Sequence, residues 1–157
     1  MGSAYVSDAD LTLLEDWVDG LLLAISPVKR RRIAQSVAIA LRRSQQQRIA
    51  DQRNPDGTPY VPRKVRKLRG KVGRIKRGKM FAKLRTAKYL KTHATADAAE
   101  VAFMGRAARI ARVHQYGLTD HVTANGPRVR YARRELLGFS AEDRNHVRDL
   151  LLSQLSD

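Results

Sequence analysis

From Gly57 to Ala96 the chain carries no acidic residue, and ten of the seventeen positions in "RKVRKLRGKVGRIKRGK" (63–79) are Lys or Arg. Such a segment cannot be a core element, because burying so many unpaired like charges costs far more than its apolar residues return. Those residues (Val65, Leu68, Val72, Ile75) come singly, and Gly70, Gly73 and Gly78 weaken any helix or strand. The expectation is an extended, mobile arm over about 61–79, carried by a single domain spanning 1–157. Just before it, "NPDGTPYVP" (54–62) holds three prolines in nine residues, which excludes a helix or central strand and predicts a shaped turn.

With 157 residues and 43% hydrophobic composition the chain is long enough for one real core. Lys and Arg outnumber Asp and Glu by 31 to 15, a formal charge of +16, so an anionic partner is expected. The first 25 residues hold Asp8, Asp10, Glu15, Asp16 and Asp19 and no cation. An acidic end and a basic centre can attract one another between neighbouring copies, which points to head-to-tail self-assembly. The absence of cysteine removes disulfides, thiol catalysis and cysteine-based zinc sites together. No apolar run approaches the roughly 20 residues of a membrane span, and the acidic N-terminus does not read as a secretory or transit signal. A soluble protein made in a cytoplasm, with no membrane partner, is expected.

The periodicity predicts an α+β fold: an N-terminal helical hairpin, a small antiparallel β-sheet with a short central helix, and a C-terminal amphipathic helix. Leu14, Trp17, Val18, Leu21, Leu22 and Ile25 give residues 7–25 one apolar face. Ser26-Pro27 ends that helix and starts the next, over about 27–52, with Ile33, Val37, Leu41 and Ile49 buried and Gln45 to Gln47 on its polar side. A short helix over 79–87 is expected to group Met80, Phe81 and Leu84. "KYLKTHAT" and "AAEVAFM" read as an antiparallel pair, "GRAARIARVHQYG" (105–117) as a helix, and "HVT" with "RVRYA" as a second pair. Ser140 and Asp143 form a capping-box-like start to a last helix carrying Val147, Leu150, Leu151 and Leu155.

No catalytic constellation emerges, so no enzyme, cofactor or metal is expected. "GRIKRGKM" (73–80) matches seven positions of the phosphate-cradling G-x-x-x-x-G-K-[ST] loop, but Met80 stands where the hydroxyl that holds magnesium belongs, and no apolar strand precedes Gly73. "GKVG" (70–73) resembles a backbone-gripping GXXG loop without the two helices that loop joins. His93, His114, His121 and His146 lack ligand spacing, and His114 reads as a packed, hydrogen-bonded histidine. What remains is the basic arm: Arg63, Lys64, Arg66, Lys67, Arg69, Lys71, Arg74, Lys76, Arg77 and Lys79. Aromatics are sparse around it, so any contact with nucleic acid would be with the backbone and indifferent to sequence.

Three stretches, "QQQRIADQRNPDGTPYVPRK" (45–64), "GRAARIARVHQYGL" (105–118) and "RVRYARRELLGFS" (128–140), together resemble the phage virion morphogenesis family, the S-type tail completion proteins of contractile-tailed phages and related prophages. The resemblance covers about 30–153. It implies a non-enzymatic structural component of the phage neck or tail end, completing the tail and enabling head–tail joining as part of a homo-oligomeric, sixfold ring in the virion, after assembly in the bacterial host cytoplasm. The implied partners are tail tube and neck or connector proteins, with genomic DNA passing through the lumen. Six subunits, each at +16, could hardly close a ring without anions nearby; an arm facing the lumen or the next ring would meet them. By resemblance, Asn54, Pro55, Asp56, Gly57, Pro59 and Tyr60 form the turn into the arm. Arg109, Arg112, His114, Gln115, Tyr116 and Gly117 end the central helix, and Arg134, Glu135, Leu136, Leu137, Gly138 and Phe139 lead to the last one. Tyr116 and Phe139 are expected to pack, while Arg109, Arg112, Gln115, Arg134 and Glu135 are candidate interface positions. The alternative is a stand-alone, sequence-nonspecific nucleic-acid-binding protein.

Overall fold

The longest element starts where the sequence punctuates it. In the computed structural model, which describes residues 16, 19–20, 23–63 and 78–156, Pro27–Ala50 is a helix of 24 residues, α1. The Ser26 hydroxyl accepts the Lys29 amide at 3.2 Å, and Pro27 occupies the first turn, where its missing N–H is not needed. The C-terminus closes on Gln52, a non-glycine residue at φ +59°, whose amide reaches Ile49 O at 3.1 Å while the Arg53 amide reaches Arg48 O at 3.1 Å. This is the paired closure that usually recruits glycine.

The remaining elements, in chain order, are β1 (Leu90–Ala94), β2 (Ala99–Phe103), α2 (Arg106–Tyr116), β3 (Thr119–His121), β4 (Arg128–Arg130) and α3 (Ala141–Ser156). β1 and β2 pair antiparallel from Leu90 opposite Phe103 to Ala94 opposite Ala99, and β3 pairs antiparallel with β4. The mixed α+β class is as expected, but the strands form two separate two-stranded sheets instead of one. α2 follows β2 directly and carries the chain away before β3 begins, so the second pair cannot extend the first.

α1 is the spine. Ile33, Val37 and Leu41 are buried against Val147 and Leu150 of α3 and Ala99 and Val101 of the first hairpin. α3 therefore runs antiparallel to α1, its start tied to the far end of α1 by an Arg48–Asp143 ion pair of 3.5 Å. Ser140 and Asp143 form the expected reciprocal cap at 3.0 and 3.1 Å. The buried stripe of α3 is narrower than predicted: Leu151 is 37% exposed. The second cluster gathers Ile49, Tyr60, Met80, Leu90, Phe103, Ala107, Ala111 and Leu136 at the C-terminal end of α1.

Two local expectations are corrected. Residues 80–89 form successive turns, not a helix, because Phe81 adopts φ +64° and breaks the helical path at its start. Met80, Phe81 and Leu84 nevertheless meet in the second cluster. Gln45 is buried, not on a solvated face. Of the predicted first helix, residues 16, 19–20 and 23–24 are helical, and Leu23 is exposed; Leu14, Trp17, Val18, Leu21 and Leu22, and with them the hairpin, lie outside the described residues.

Leu41→Asp places an unpaired carboxylate between α1 and α3, and the expected result is loss of the cooperative unfolding transition, a cost above about 4 kcal/mol. Chemical denaturation followed by circular dichroism reads it directly.

Candidate functional site at the root of the basic segment

Residues 131–140 connect β4 to α3 without belonging to a helix or strand. Their backbone groups must find partners elsewhere, and side chains supply them. Gln45 Nε2 donates to Gly138 O at 2.8 Å, and Arg48 donates to Leu136 O at 3.0 Å and Gly138 O at 3.2 Å. Asn54 Oδ1 accepts the Glu135 amide at 2.9 Å, and the Tyr60 hydroxyl donates to Glu135 O at 3.2 Å. From α2, Gln115 Oε1 accepts the Leu136 and Leu137 amides at 2.8 and 3.0 Å while its Nε2 donates to Leu137 O at 2.8 Å. Arg48 also donates to Gln45 Oε1, and burial lowers its pKa, partly offset by Asp143 and other neighbours.

Two glycines permit the close approach. A Cβ on Gly138, at φ +155°, would lie 2.6 Å from Pro55 Cγ, and one on Gly117, at φ +63°, would crowd Arg133 Cβ at 3.2 Å. The turn 54–60, the end of α2 and the connector thus meet in one place.

That place is also the root of the basic segment. Arg134, 5% exposed, clamps the chain as it leaves: its Nε donates to Val61 O at 2.7 Å and its Nη2 to Pro62 O at 3.1 Å. Val61 and Pro62 are thereby fixed to the connector. The third donor of Arg134 meets His114 Nδ1 at 3.2 Å, so this nitrogen accepts and the imidazole is neutral. Burial first, and the Arg134 charge second, push the His114 pKa down to about 4. Its ring sits edge-on between Phe81 (4.8 Å) and Tyr131 (5.0 Å), and Phe81 in turn meets Tyr60 at 5.9 Å. Burial pushes the Tyr60 hydroxyl up to about 12, which keeps it a donor.

The returning chain is latched by Gln52. Its Oε1 accepts the Met80 amide at 2.8 Å and its Nε2 donates to Met80 O at 2.9 Å, while its own carbonyl accepts the Tyr60 amide at 2.7 Å. A single residue with a strained backbone therefore holds both ends of the segment together. Arg63, Gly78 and Lys79 are exposed at this root. Lys64, Arg66, Lys67, Arg69, Lys71, Arg74, Lys76 and Arg77 lie outside the described residues, as does Gly73 of the phosphate-loop-like match.

The candidate interface positions divide. Arg109 is exposed and pairs with Asp120, holding α2 to β3 and lowering the Asp120 pKa. Arg112 is exposed; Glu135 pairs with Arg133 at 2.8 Å. Gln115 and Arg134 are committed to internal bonds. Tyr116 and Phe139, expected to pack, are 64% and 56% exposed, because α2 turns Ala107, Ala111 and Val113 inward and Leu136 fills the connector's place in the core. Sequence reasoning missed Gln45, Arg48 and Gln52 as organisers, since a polar helix end reads as solvated. Among the described residues there is no group of three His, Asp or Glu side chains able to hold a metal, and no helix long and apolar enough to cross a membrane.

Residues 9–156 match the phage virion morphogenesis family. The chain belongs to that family. Tail completion protein S of Escherichia phage P2 is 43% identical over 142 residues, which cover 90% of this chain and 94% of that protein. No solved structure matches. The three stretches that resemble the virion morphogenesis family in sequence are the same three that the connector's hydrogen bonds draw together.

Gln52→Ala keeps the positive φ and loses the Met80 latch, with an expected loss of about 1–3 kcal/mol. Gln52→Gly relieves the backbone, and its loss is expected to be smaller by roughly 1 kcal/mol, both read by urea denaturation. His114 binds its proton less readily folded than unfolded (about 4 against 6.5), so its contribution is complete above pH 6.5 and lost as pH falls towards 4. Between pH 7 and 5 the denaturation midpoint should drop more steeply in the wild type than in His114→Gln.

Proposed function

We propose that this chain is a non-enzymatic structural part of a phage tail that completes the tail at its head-proximal end and enables head–tail joining as one subunit of an oligomeric, sixfold ring. The observation that carries the reading is the 43% identity, over 90% of this chain, to tail completion protein S of Escherichia phage P2. The geometry supports it physically. A segment with ten cations in seventeen residues is offered from a rigid root, both ends fixed by Arg134 and Gln52. In a ring these segments face the lumen or the adjoining ring and are neutralised by DNA phosphates or carboxylates, alongside tail tube and neck proteins.

The uncompensated charge also favours a second reading, a stand-alone nucleic-acid-binding protein. The two differ in what they need. A stand-alone binder retards duplex DNA as a monomer, with affinity falling steeply as salt rises, and has no affinity for tails.

Replacing Arg66, Lys67, Arg69, Lys71 and Arg74 together by Gln tests the proposal. The run has no apolar face to bury, so unfolding should change by no more than about 0.5 kcal/mol. Electron microscopy of lysates should show unjoined heads and tails in place of complete particles. A normal yield of infectious particles would refute the assignment.

A further inference from the structure

Between Ser26 and Ser156 the chain has nine acidic residues. Six of them stand against a basic side chain: Asp97, Glu100, Asp120, Glu135, Asp143 and Asp149. The other three, Asp51, Asp56 and Glu142, make no ion pair among the described residues, and all three line one open cleft of about 470 Å³. The end of α1, the turn 54–57 and the start of α3 form its walls. Hydrogen bonds from the Thr58 hydroxyl and amide hold Asp56 below the usual carboxylate range, and its own amide and the Ser140 hydroxyl do the same for Glu142. Arg48, which also lines the cleft, is matched by Asp143, and Arg53 donates to Gly57 O at 2.8 Å. Three carboxylates against Arg53 leave an excess of two negative charges. The Arg48 side chain is 9% exposed, and its Nε has no acceptor among the described residues. The cleft thus lacks two cations and an acceptor, and its carboxylates do not gather into a metal site.

The β3–β4 hairpin is the opposite case. None of its six strand residues is buried, and the Arg109–Asp120 pair ties it to α2. Its turn is fixed by the Val122 amide on Pro127 O at 3.1 Å and by His121 Nδ1 donating to Gly126 O at 2.8 Å. Arg128 and Arg130 lie two residues apart on β4, hence on one face and about 6.8 Å apart. Opposite them stand His121 and Thr119, so no acid shares that face. Neither arginine makes an ion pair among the described residues, so neither meets the carboxylates of its own copy's cleft. Other exposed cations, Arg31, Arg32 and Arg43, ride on α1, a cylinder about 10–12 Å across. A hairpin is one strand thick, its strands about 4.8 Å apart, and is the narrower fit.

We propose that this cleft receives the β3–β4 hairpin of a neighbouring copy, Arg128 and Arg130 entering among Asp51, Asp56 and Glu142. The hairpin's backbone brings carbonyl oxygens as well as cations. The contact joins unlike surfaces, which repeated from copy to copy generates a ring where the rotation closes. It rests on the oligomeric reading above and names the surfaces through which copies join; charge complementarity selects them.

The wild-type chain is raised in concentration, alone and with tail tubes, and its mass followed by analytical ultracentrifugation. Two variants are compared with it, one carrying Arg128→Glu and Arg130→Glu, the other Asp51→Lys and Glu142→Lys. Each alone should need at least about tenfold more protein to assemble, since like charges then meet across the contact. Both arginines are exposed, so the circular dichroism of the first variant should not change. Mixed in equal amounts, the two variants should assemble near the wild-type range, because each hairpin then meets the opposite sign in the other's cleft. Arg128→Lys with Arg130→Lys, which keeps the charge, should assemble like the wild type. Undiminished assembly of the Arg128→Glu, Arg130→Glu variant, or a mixture no better than its parts, overturns the contact while leaving the oligomer intact. Assembly indifferent to these variants but lost on replacing the cations of 63–79 puts the contact in that segment, and overturns it too. Absence of any oligomer, with tail tubes present, removes the oligomeric reading and this inference together.

Discussion

A ten-residue connector without regular structure depends on side-chain hydrogen bonds for its shape, and the organisation of the molecule follows from that dependence. Gln45 and Arg48 from α1, Asn54 and Tyr60 from the turn, and Gln115 from α2 all bond backbone groups between Glu135 and Gly138. Each such bond contributes only about 1 kcal/mol net, but leaving a buried peptide group unpaired costs about 1–3 kcal/mol. The set is therefore cooperative: losing one donor strands its acceptor. The Arg48–Asp143 pair adds the start of α3 to the same hub, its side chains 9% and 4% exposed. Removing either partner of such a buried pair is far costlier than the pair's own net contribution.

The hub explains how a strongly cationic chain can present its charge without being disrupted by it. Arg48 and Arg134 are two cations brought inside, and both donate to carbonyl oxygens; burial lowers the pKa of each. Arg134 does two things at once, since the same guanidinium that clamps Val61 and Pro62 also keeps His114 neutral. A protonated imidazole there would face a second positive charge 3.2 Å away, with Arg63 close behind. The two buried cations of the root are thus satisfied by the chain's own groups.

Much of this was legible in the sequence. Ser26-Pro27, the Ser140–Asp143 box and the paired runs "KYLKTHAT" and "AAEVAFM" located the elements because each depends on local chemistry. Ile33, Val37, Leu41 and Ile49 announced the buried face of α1 by spacing alone. What stayed hidden depends on contacts between residues distant in the chain. Gln52 and Phe81 adopt positive φ that no sequence rule assigns to them, and they do so because Met80, Tyr60 and His114 hold them there. Gln45 to Gln47 read as a solvated face, yet Gln45 and Gln46 bond Gly138 O and Arg85 O across 93 and 39 residues. Tyr116 and Phe139 were expected inside because large aromatics usually are, yet both rings stand exposed.

We propose that the charge gathered between Arg63 and Lys79 is neutralised when subunits assemble on a phage particle. Electron cryomicroscopy of joined particles, at a resolution that traces the chain, measures this directly. The expected result is density for these residues leaving the Arg134–Gln52 root and lying against DNA phosphates or the carboxylates of an adjoining subunit. Density that leaves the same root and ends in open solvent, with neither anion within reach, would contradict it.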